Sequence, residues 1–450
     1  MATAPVTTPT IFTKLHTAAF RQVSNAPLVY LRVLIGFIMF LEGFHSLVTG
    51  WVRDVYIHTN FTFTFIGFEW LQFLHGPIMY WYYGGISLLG LMVCTGLFYR
   101  VSATLLALMW TSVSLLQKTH YNNHFYLMVL LCWMMVFVPA NRRFSLDGKR
   151  GTVTETNHCD AWCIFLFQFQ VACVFVYAAI AKLYPDWLKA VPLKIWLSNK
   201  GDIPLIGPYL KLHWVPYALA YLGILFDLLI VPALLWRKTR KLAFIAALVF
   251  NSLNATIFHI GTFPFLALGL GVIFYPASFF ESFVPNARKT EITFAPVKHS
   301  KAILTVLGIY MVMQIILPLR HHFIPGNVFW TEEGHRLSWR MMLRTKRGNA
   351  TFIVKEPSTG KYWIEDISKH LTPDQAHGLA AHPDMCWQFA QYVYNIYKNK
   401  GQLVQVHAYA TVSLNGRPER YIIDTNVNLA TVKWKHLGGN KWITSYIDRY

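Results

Sequence analysis

The sequence predicts an all-α polytopic membrane domain of about nine transmembrane helices, followed by a small α+β soluble domain. Three observations predict it. Charged residues make up 14% of the 450 residues and hydrophobic ones 54%, whereas soluble domains carry about 25% charged residues. Apolar runs of ~17–25 residues, enough to cross the hydrocarbon core of a bilayer, recur along the first two thirds of the chain. Beyond residue 319 the pattern changes to short segments separated by turn residues.

The apolar runs fall at roughly 28–48, 77–98, 101–118, 124–140, 160–184, 214–236, 240–259, 262–281 and 301–318. The fourth is short. The segment 49–76 carries Phe61, Phe63, Phe65, Phe68 and Trp70, enough aromatic surface to lie at a membrane interface. The expected division is a membrane domain at 1–318 and an extracytoplasmic domain at 319–450.

Orientation follows from the Lys/Arg bias of short loops, which marks the cytoplasmic side. With the N-terminus inside, the inner loops gather Lys14, Arg21, Arg100, Arg142, Arg143, Lys149, Arg150, Arg237, Lys238, Arg240, Lys241, Arg288, Lys289, Lys298 and Lys301. The outer loops hold only Arg53, Lys118, Lys189, Lys194, Lys200 and Lys211, most of them in one long loop. The net charge is +19, but basic residues gathered between apolar segments are explained by membrane orientation, so nucleic acid is not an expected partner. No cleavable signal peptide is expected, because the first 27 residues lack a compact apolar run. The six cysteines form no paired CxxC arrangement, and the five in or beside apolar segments read as small core residues. A Cys159–Cys163 bridge would require that segment not to start as a helix.

In the C-terminal part, Thr351–Val354 and Tyr362–Ile364 flank Ser358-Thr359-Gly360 as a hairpin. Pro383–Lys398 has the spacing of an amphipathic helix, with Trp387, Phe389, Tyr392, Val393 and Ile396 on one face. Gln405–Leu414 and Arg420–Asp424 make a second hairpin around Asn415-Gly416, a dipeptide suited to tight turns.

Ionisable residues inside apolar spans are expensive and so are functional candidates. Here they are Arg32, Glu42, His45, Lys182, Asp227 and His259, with Asn251 and Asn254 as neutral polar company. The topology places Glu42 and His45, the group Lys118, His120, Asn122, Asn123 and His124, then Lys182, then Asn254 and His259 at the outer ends of four spans. That agreement in depth points to one site. Lys182 follows the small residues Ala178, Ala179 and Ala181. Burial among them disfavours a charged amine and makes it a usable base near neutrality. Snorkelling or a pair with Asp186 is the structural alternative for Lys182, helix capping for Asn123, and a buried hydrogen bond for Asp227. No HExxH or comparable histidine series is present, so no catalytic metal is expected.

These segments resemble the vitamin K-dependent gamma-glutamyl carboxylases and their microbial relatives, the HTTM-domain proteins. The stretches concerned are Gly96-Leu-Phe-Tyr-Arg-Val-Ser, Leu116-Gln-Lys-Thr-His-Tyr-Asn-Asn-His-Phe-Tyr-Leu, Ala140-Asn141 with Ser145-Leu-Asp-Gly, and Val176-Tyr-Ala-Ala-Ile-Ala-Lys-Leu-Tyr-Pro-Asp-Trp. Leu225-Phe-Asp-Leu, Asn254 with Phe258-His-Ile-Gly-Thr-Phe, Ser338-Trp-Arg-Met-Met and Val412-Ser-Leu-Asn complete the set, from about residue 27 to 434. The chain differs from vertebrate members at Asn251, where they carry His, and at Ala181-Lys182, where they carry two lysines. Vertebrate members also carry a much longer lumenal region, and the expectation here is a short microbial member.

The resemblance implies a carboxy-lyase that oxygenates reduced vitamin K, phylloquinol or menaquinol, to its epoxide. O2 and CO2 would be co-substrates, and the step would be coupled to carboxylation of glutamyl residues or a related carbon acid. It implies Lys182 as base with His124 beside it, and Asn123, His259, Asn254 and Asn251 around the quinol; Met341 and Met342, with Trp339, are expected quinol contacts from their place near the last span, with core packing as the alternative. The expected setting is a bacterial inner membrane, with lipid, membrane quinol and a secreted or periplasmic protein as partners. The competing expectation is a non-catalytic quinone- or lipid-binding protein with a partner-binding periplasmic domain. A transporter would call for inverted repeats, which the sequence does not display.

Overall fold

The computed structural model describes residues 10–258, 260–286 and 299–446. The N-terminal part is built from α1 (Ala26–Val48), α2 (Ile78–Thr95), α3 (Tyr99–Leu116), α4 (Asn123–Phe137), α5 (Trp162–Ala181), α6 (Val215–Leu235), α7 (Arg240–Phe258), α8 (Phe263–Gly271) and α9 (Ser300–Leu319). Among the described residues, seven of these are long and apolar enough to cross a membrane. The other two, α4 with 15 residues and α8 with 9, lie where the fourth and eighth spans were expected. At 1.5 Å per residue, α4 rises only ~22 Å.

The turn between α2 and α3 shows how separated sequence motifs become one structure. Gly96 ends α2 with φ +68°, a conformation glycine adopts without steric penalty. Asp147 then accepts hydrogen bonds from the backbone N–H groups of Phe98 (2.8 Å) and Tyr99 (2.9 Å), and from Asn141. Arg32 is buried beneath this turn and donates to the carbonyls of Cys94, Ala140, Arg143 and Phe144. It is therefore a structural clamp on backbone carbonyls. A short two-stranded pair that the sequence did not announce, β1 (Gln22–Ser24) with β2 (His158–Asp160), ties the chain before α1 to the start of α5. All six cysteines are free, Cys159 lying in β2 ahead of the helix.

The C-terminal part holds a four-stranded antiparallel sheet in the order β4 (Tyr362–Glu365), β3 (Lys346–Lys355), β5 (Gln405–Leu414), β6 (Arg420–Tyr421). Both expected hairpins are present, and Asn415 and Gly416 take the left-handed conformation the tight turn needs. β3 is longer than the sequence suggested and pairs with β5 from Lys346↔Leu414 to Lys355↔Gln405. Two helices, α10 (Pro373–Leu379) and α11 (Pro383–Asn399), cover one face. Phe389, Ala390 and Val393 of α11 share a core with Phe352, Val354, Val406 and Ala408 of the sheet.

That core does not stop at the sheet domain. It includes Ala181, Trp187, Ala190, Leu193 and Ala220, from the C-terminal end of α5, the segment after it, and α6. Asp186 accepts from both Arg417 guanidinium nitrogens (2.7 and 2.8 Å) and from Asn415 (2.6 Å). The 49–76 segment divides its roles. Trp70 and Phe73 stack on an exposed face. Phe61 and Phe63 are buried, Phe61 against Tyr392 of α11, and Gln375 and Gln388 bond its backbone.

Candidate active site

Where the start of α4, the end of α5, and α6 and α7 meet the loop 336–342, they enclose a cavity of about 200 Å³. Lys182 is the residue that follows α5, and it is buried. Its Nζ lies 2.5 Å from Asp227 Oδ2, donates to the Ala178 carbonyl at 3.2 Å, and sits 5.6 Å from the Trp187 ring centre. Gly223, one turn before Asp227 on α6, lies beside the lysine stem, and a methyl group there would meet Lys182 Cε at 3.9 Å, an ordinary van der Waals contact. The lysine's carboxylate partner is thus Asp227, not Asp186, which is occupied by Arg417 and Asn415. The buried hydrogen bond expected of Asp227 exists, and its donor is the candidate base.

Across the cavity, His124 is buried and makes no hydrogen bond to protein among the described residues; its ring stands edge-on to Phe125. Asn123 begins α4, but the N-cap position is Asn122, without a side-chain cap bond. The Asn123 amide instead donates to the Arg340 carbonyl (3.0 Å) and accepts from the Tyr121 hydroxyl (3.2 Å), which in turn accepts from the Leu337 N–H. These bonds hold a loop in which Leu337, Trp339 and Met342 all have positive φ, of 60°, 55° and 47°. Such a conformation is sparsely populated for residues other than glycine and persists only where surrounding contacts impose it. The loop brings Met341 and Met342 to the cavity, while Trp339 turns away to stack on Tyr126.

Asn251 and Asn254 of α7 also face the cavity; Asn251 donates to the Ala247 carbonyl. Phe175, Trp187, Trp196, Phe250, Phe258 and Phe263 make the wall largely apolar and aromatic. Lys182, His124, Asn123, Asn254, Asn251, Met341 and Met342 are therefore brought together, and His259 lies outside the described residues. Glu42, His45 and His120 are not among the lining residues: Glu42 accepts from the Thr262 hydroxyl, and His120 packs edge-on against Trp51. The sequence alone did not place Asp227 in the site. Its mid-span position was the available signal, because a buried lysine requires a countercharge.

Lys118 takes part in a different arrangement. Its amine lies 2.5 Å from Asp384 of α11, whose same oxygen accepts from Arg336 at 2.8 Å. Burial opposes ionisation of Asp384, but Arg336 and Lys118 outweigh it and hold the carboxyl far below its ordinary range. Burial lowers the Lys118 amine to about 8 against the pull of Asp384. Nearby, Glu332 pairs with Arg344 (2.5 Å) and Lys346 (3.1 Å). A second, polar cavity of about 210 Å³ opens beside Lys118, Arg336 and Asp384.

Helices long and apolar enough to cross a bilayer, around a largely apolar cavity with a few convergent polar groups, define a multi-pass membrane protein with a candidate binding site. Residues 20–279 match the HTTM domain, and residues 299–449 match the lumenal domain of vitamin K-dependent gamma-carboxylase. The chain belongs to the HTTM-domain family of vitamin K-dependent gamma-carboxylases. No solved structure matches it.

Proposed function

We propose that this protein is a membrane carboxylase that binds reduced vitamin K in the cavity around Lys182 and uses O2 and CO2 as co-substrates. The observation that carries this reading is the pairing of a buried amine with an apolar, aromatic-walled cavity between helices long and apolar enough to cross a membrane. A cavity of ~150 Å³ accepts a single benzene ring, so the 200 Å³ here suits a somewhat larger aromatic head group. His124 and Asn254, which make no bond to protein among the described residues, are free to meet the oxygens of such a head group.

The quinol, when bound, supplies with O2 the strong base that turns a glutamyl side chain, or a related carbon acid, into an acceptor of CO2, and it leaves as the epoxide. The chain's own residues prepare for that chemistry. Lys182 faces the cavity and takes up the proton of a quinol hydroxyl. His124, Asn123, Asn251 and Asn254 orient the head group, with Met341 and Met342 closing over it. The aromatic wall excludes water, which would quench a strong base. The domain of residues 319–450 then presents the carbon acid from the extracytoplasmic side, with the N-terminus cytoplasmic, in a bacterial inner membrane.

The test is to supply the purified protein in detergent with reduced vitamin K, O2 and bicarbonate, and to follow quinone epoxide by mass. Wild type is expected to form epoxide and Lys182→Ala to form none while still folded. Quinone binding without epoxide in wild type would overturn the enzymatic reading in favour of a quinone-binding protein.

A further inference from the structure

We propose that the proton acceptor in this cavity is the Lys182–Asp227 pair acting as a unit, and that the proton comes to rest on the Asp227 carboxylate. The proposal rests on the quinol reading of the cavity. Asp227 and Lys182 both line it, with Nζ and Oδ2 2.5 Å apart. Among the described lining residues the only other titratable side chain is His124, which makes no bond to either. Asp186, the carboxylate nearest in sequence, is taken by Arg417 and Asn415.

An ammonium beside a carboxylate has no lone pair to offer. Within the ion pair the basic atom is the carboxylate oxygen, so Lys182 receives a proton only as it gives one up. One N–H bond of Lys182 breaks and an O–H bond forms on Asp227. The quinol O–H bond breaks with its electron pair left on oxygen, and its hydrogen arrives on the Lys182 nitrogen. The lysine remains an ammonium throughout, now facing the oxygen that has become negative. The cavity is neutral before and after, and no lone charge is left in an apolar wall, where it would be very costly. Asp227 thus acts through Lys182, as a positioning group and a proton store.

The experiment compares wild type, Asp227→Asn, Asp227→Glu and Lys182→Ala in detergent, each first checked for melting temperature and quinone affinity. Infrared difference spectra on anaerobic addition of reduced vitamin K should display a protonated carboxyl band in wild type. Asp227→Asn should lack the band, and Asp227→Glu should retain it at a shifted frequency. In air, Asp227→Asn should lose about 100-fold or more in kcat, with the KM for quinol little changed, and Asp227→Glu should recover part of the rate. A wild-type rate in Asp227→Asn with no carboxyl band in wild type would overturn the proposal and leave Lys182 as the sole base. Should Asp227→Asn not fold, an Asp227→Glu protein without the band would overturn it equally. Wild type that forms the carboxyl band yet no epoxide would overturn the quinol-oxygenation reading while supporting the pair.

Discussion

His124 and Asn123 are neighbours whose side chains do different work, and substitution can separate them. Asn123 joins the start of α4 to the loop carrying Met341 and Met342, through the Arg340 carbonyl and the Tyr121 hydroxyl. Asn123→Ala leaves that carbonyl without its donor, at a cost of about 1–3 kcal/mol. The melting temperature should fall and the KM for quinol should rise, because the loop holds its positive-φ residues only while it is tied down. His124 makes no bond to protein among the described residues, so His124→Gln has no hydrogen bond to break. Its melting temperature should stay near that of wild type while epoxide formation falls. A His124→Gln protein that is less stable but fully active would identify the imidazole as packing alone.

Among the helices, α1 and α2 approach closely, and glycine makes the approach feasible. A methyl group on Gly36 would sit 2.4 Å from the backbone nitrogen of Cys94, and one on Gly90 would sit 2.6 Å from that of Phe40. Small residues at such crossings let backbones meet in lipid, where there is little hydrophobic force to bring helices together. Gly36→Val should therefore destabilise the protein by about 3 kcal/mol, the upper end for overpacking, since backbone rather than a flexible side chain must yield. The measurement is thermal unfolding in detergent; an unchanged melting temperature would contradict so tight a crossing of α1 and α2. The helices and both hairpins were legible in the sequence because each rests on local information: runs of apolar residues, and the Asn415-Gly416 turn. The two short helices, α4 and α8, show where that signal weakens, since apolar character persists at their ends without helix. The pairing of β3 with β5 and of Lys182 with Asp227 joins residues dozens of positions apart, and no periodicity encodes a partner. Shared depth still gathered Lys182, His124, Asn123 and Asn254, because membrane topology sets their height before packing sets their neighbours. It failed for Glu42 and His120, which share the height but face elsewhere.

In the molecule as a whole, the two parts are joined by buried charge as well as by a shared apolar core, and this makes their union sensitive to acid. Lys118, at the end of α3, and Arg336 meet Asp384 of α11. Removing one partner of a buried pair typically costs about 3–5 kcal/mol, so Asp384→Ala should loosen the sheet domain from the helices and lower the melting temperature at neutral pH. The pH dependence has two limbs. Burial lowers His382 to about 4 against the attraction of Glu332, and His335 falls well below its ordinary value for the same first reason. A histidine whose folded value is depressed contributes stability above its unfolded value of ~6.5, and that contribution is lost as pH falls toward the folded value. Asp384 and Glu332 are depressed too, despite burial, by Arg336 and Lys118 and by Arg344 and Lys346. Their contributions are complete above ~4 and are lost below it. The melting temperature should therefore be level near neutrality, decline from about pH 6.5, and fall more steeply below about pH 4. In the double variant His335→Gln, His382→Gln the upper limb should flatten and the lower one remain. A lower limb that vanished with the histidines would mean that the carboxylates do not hold the two parts together.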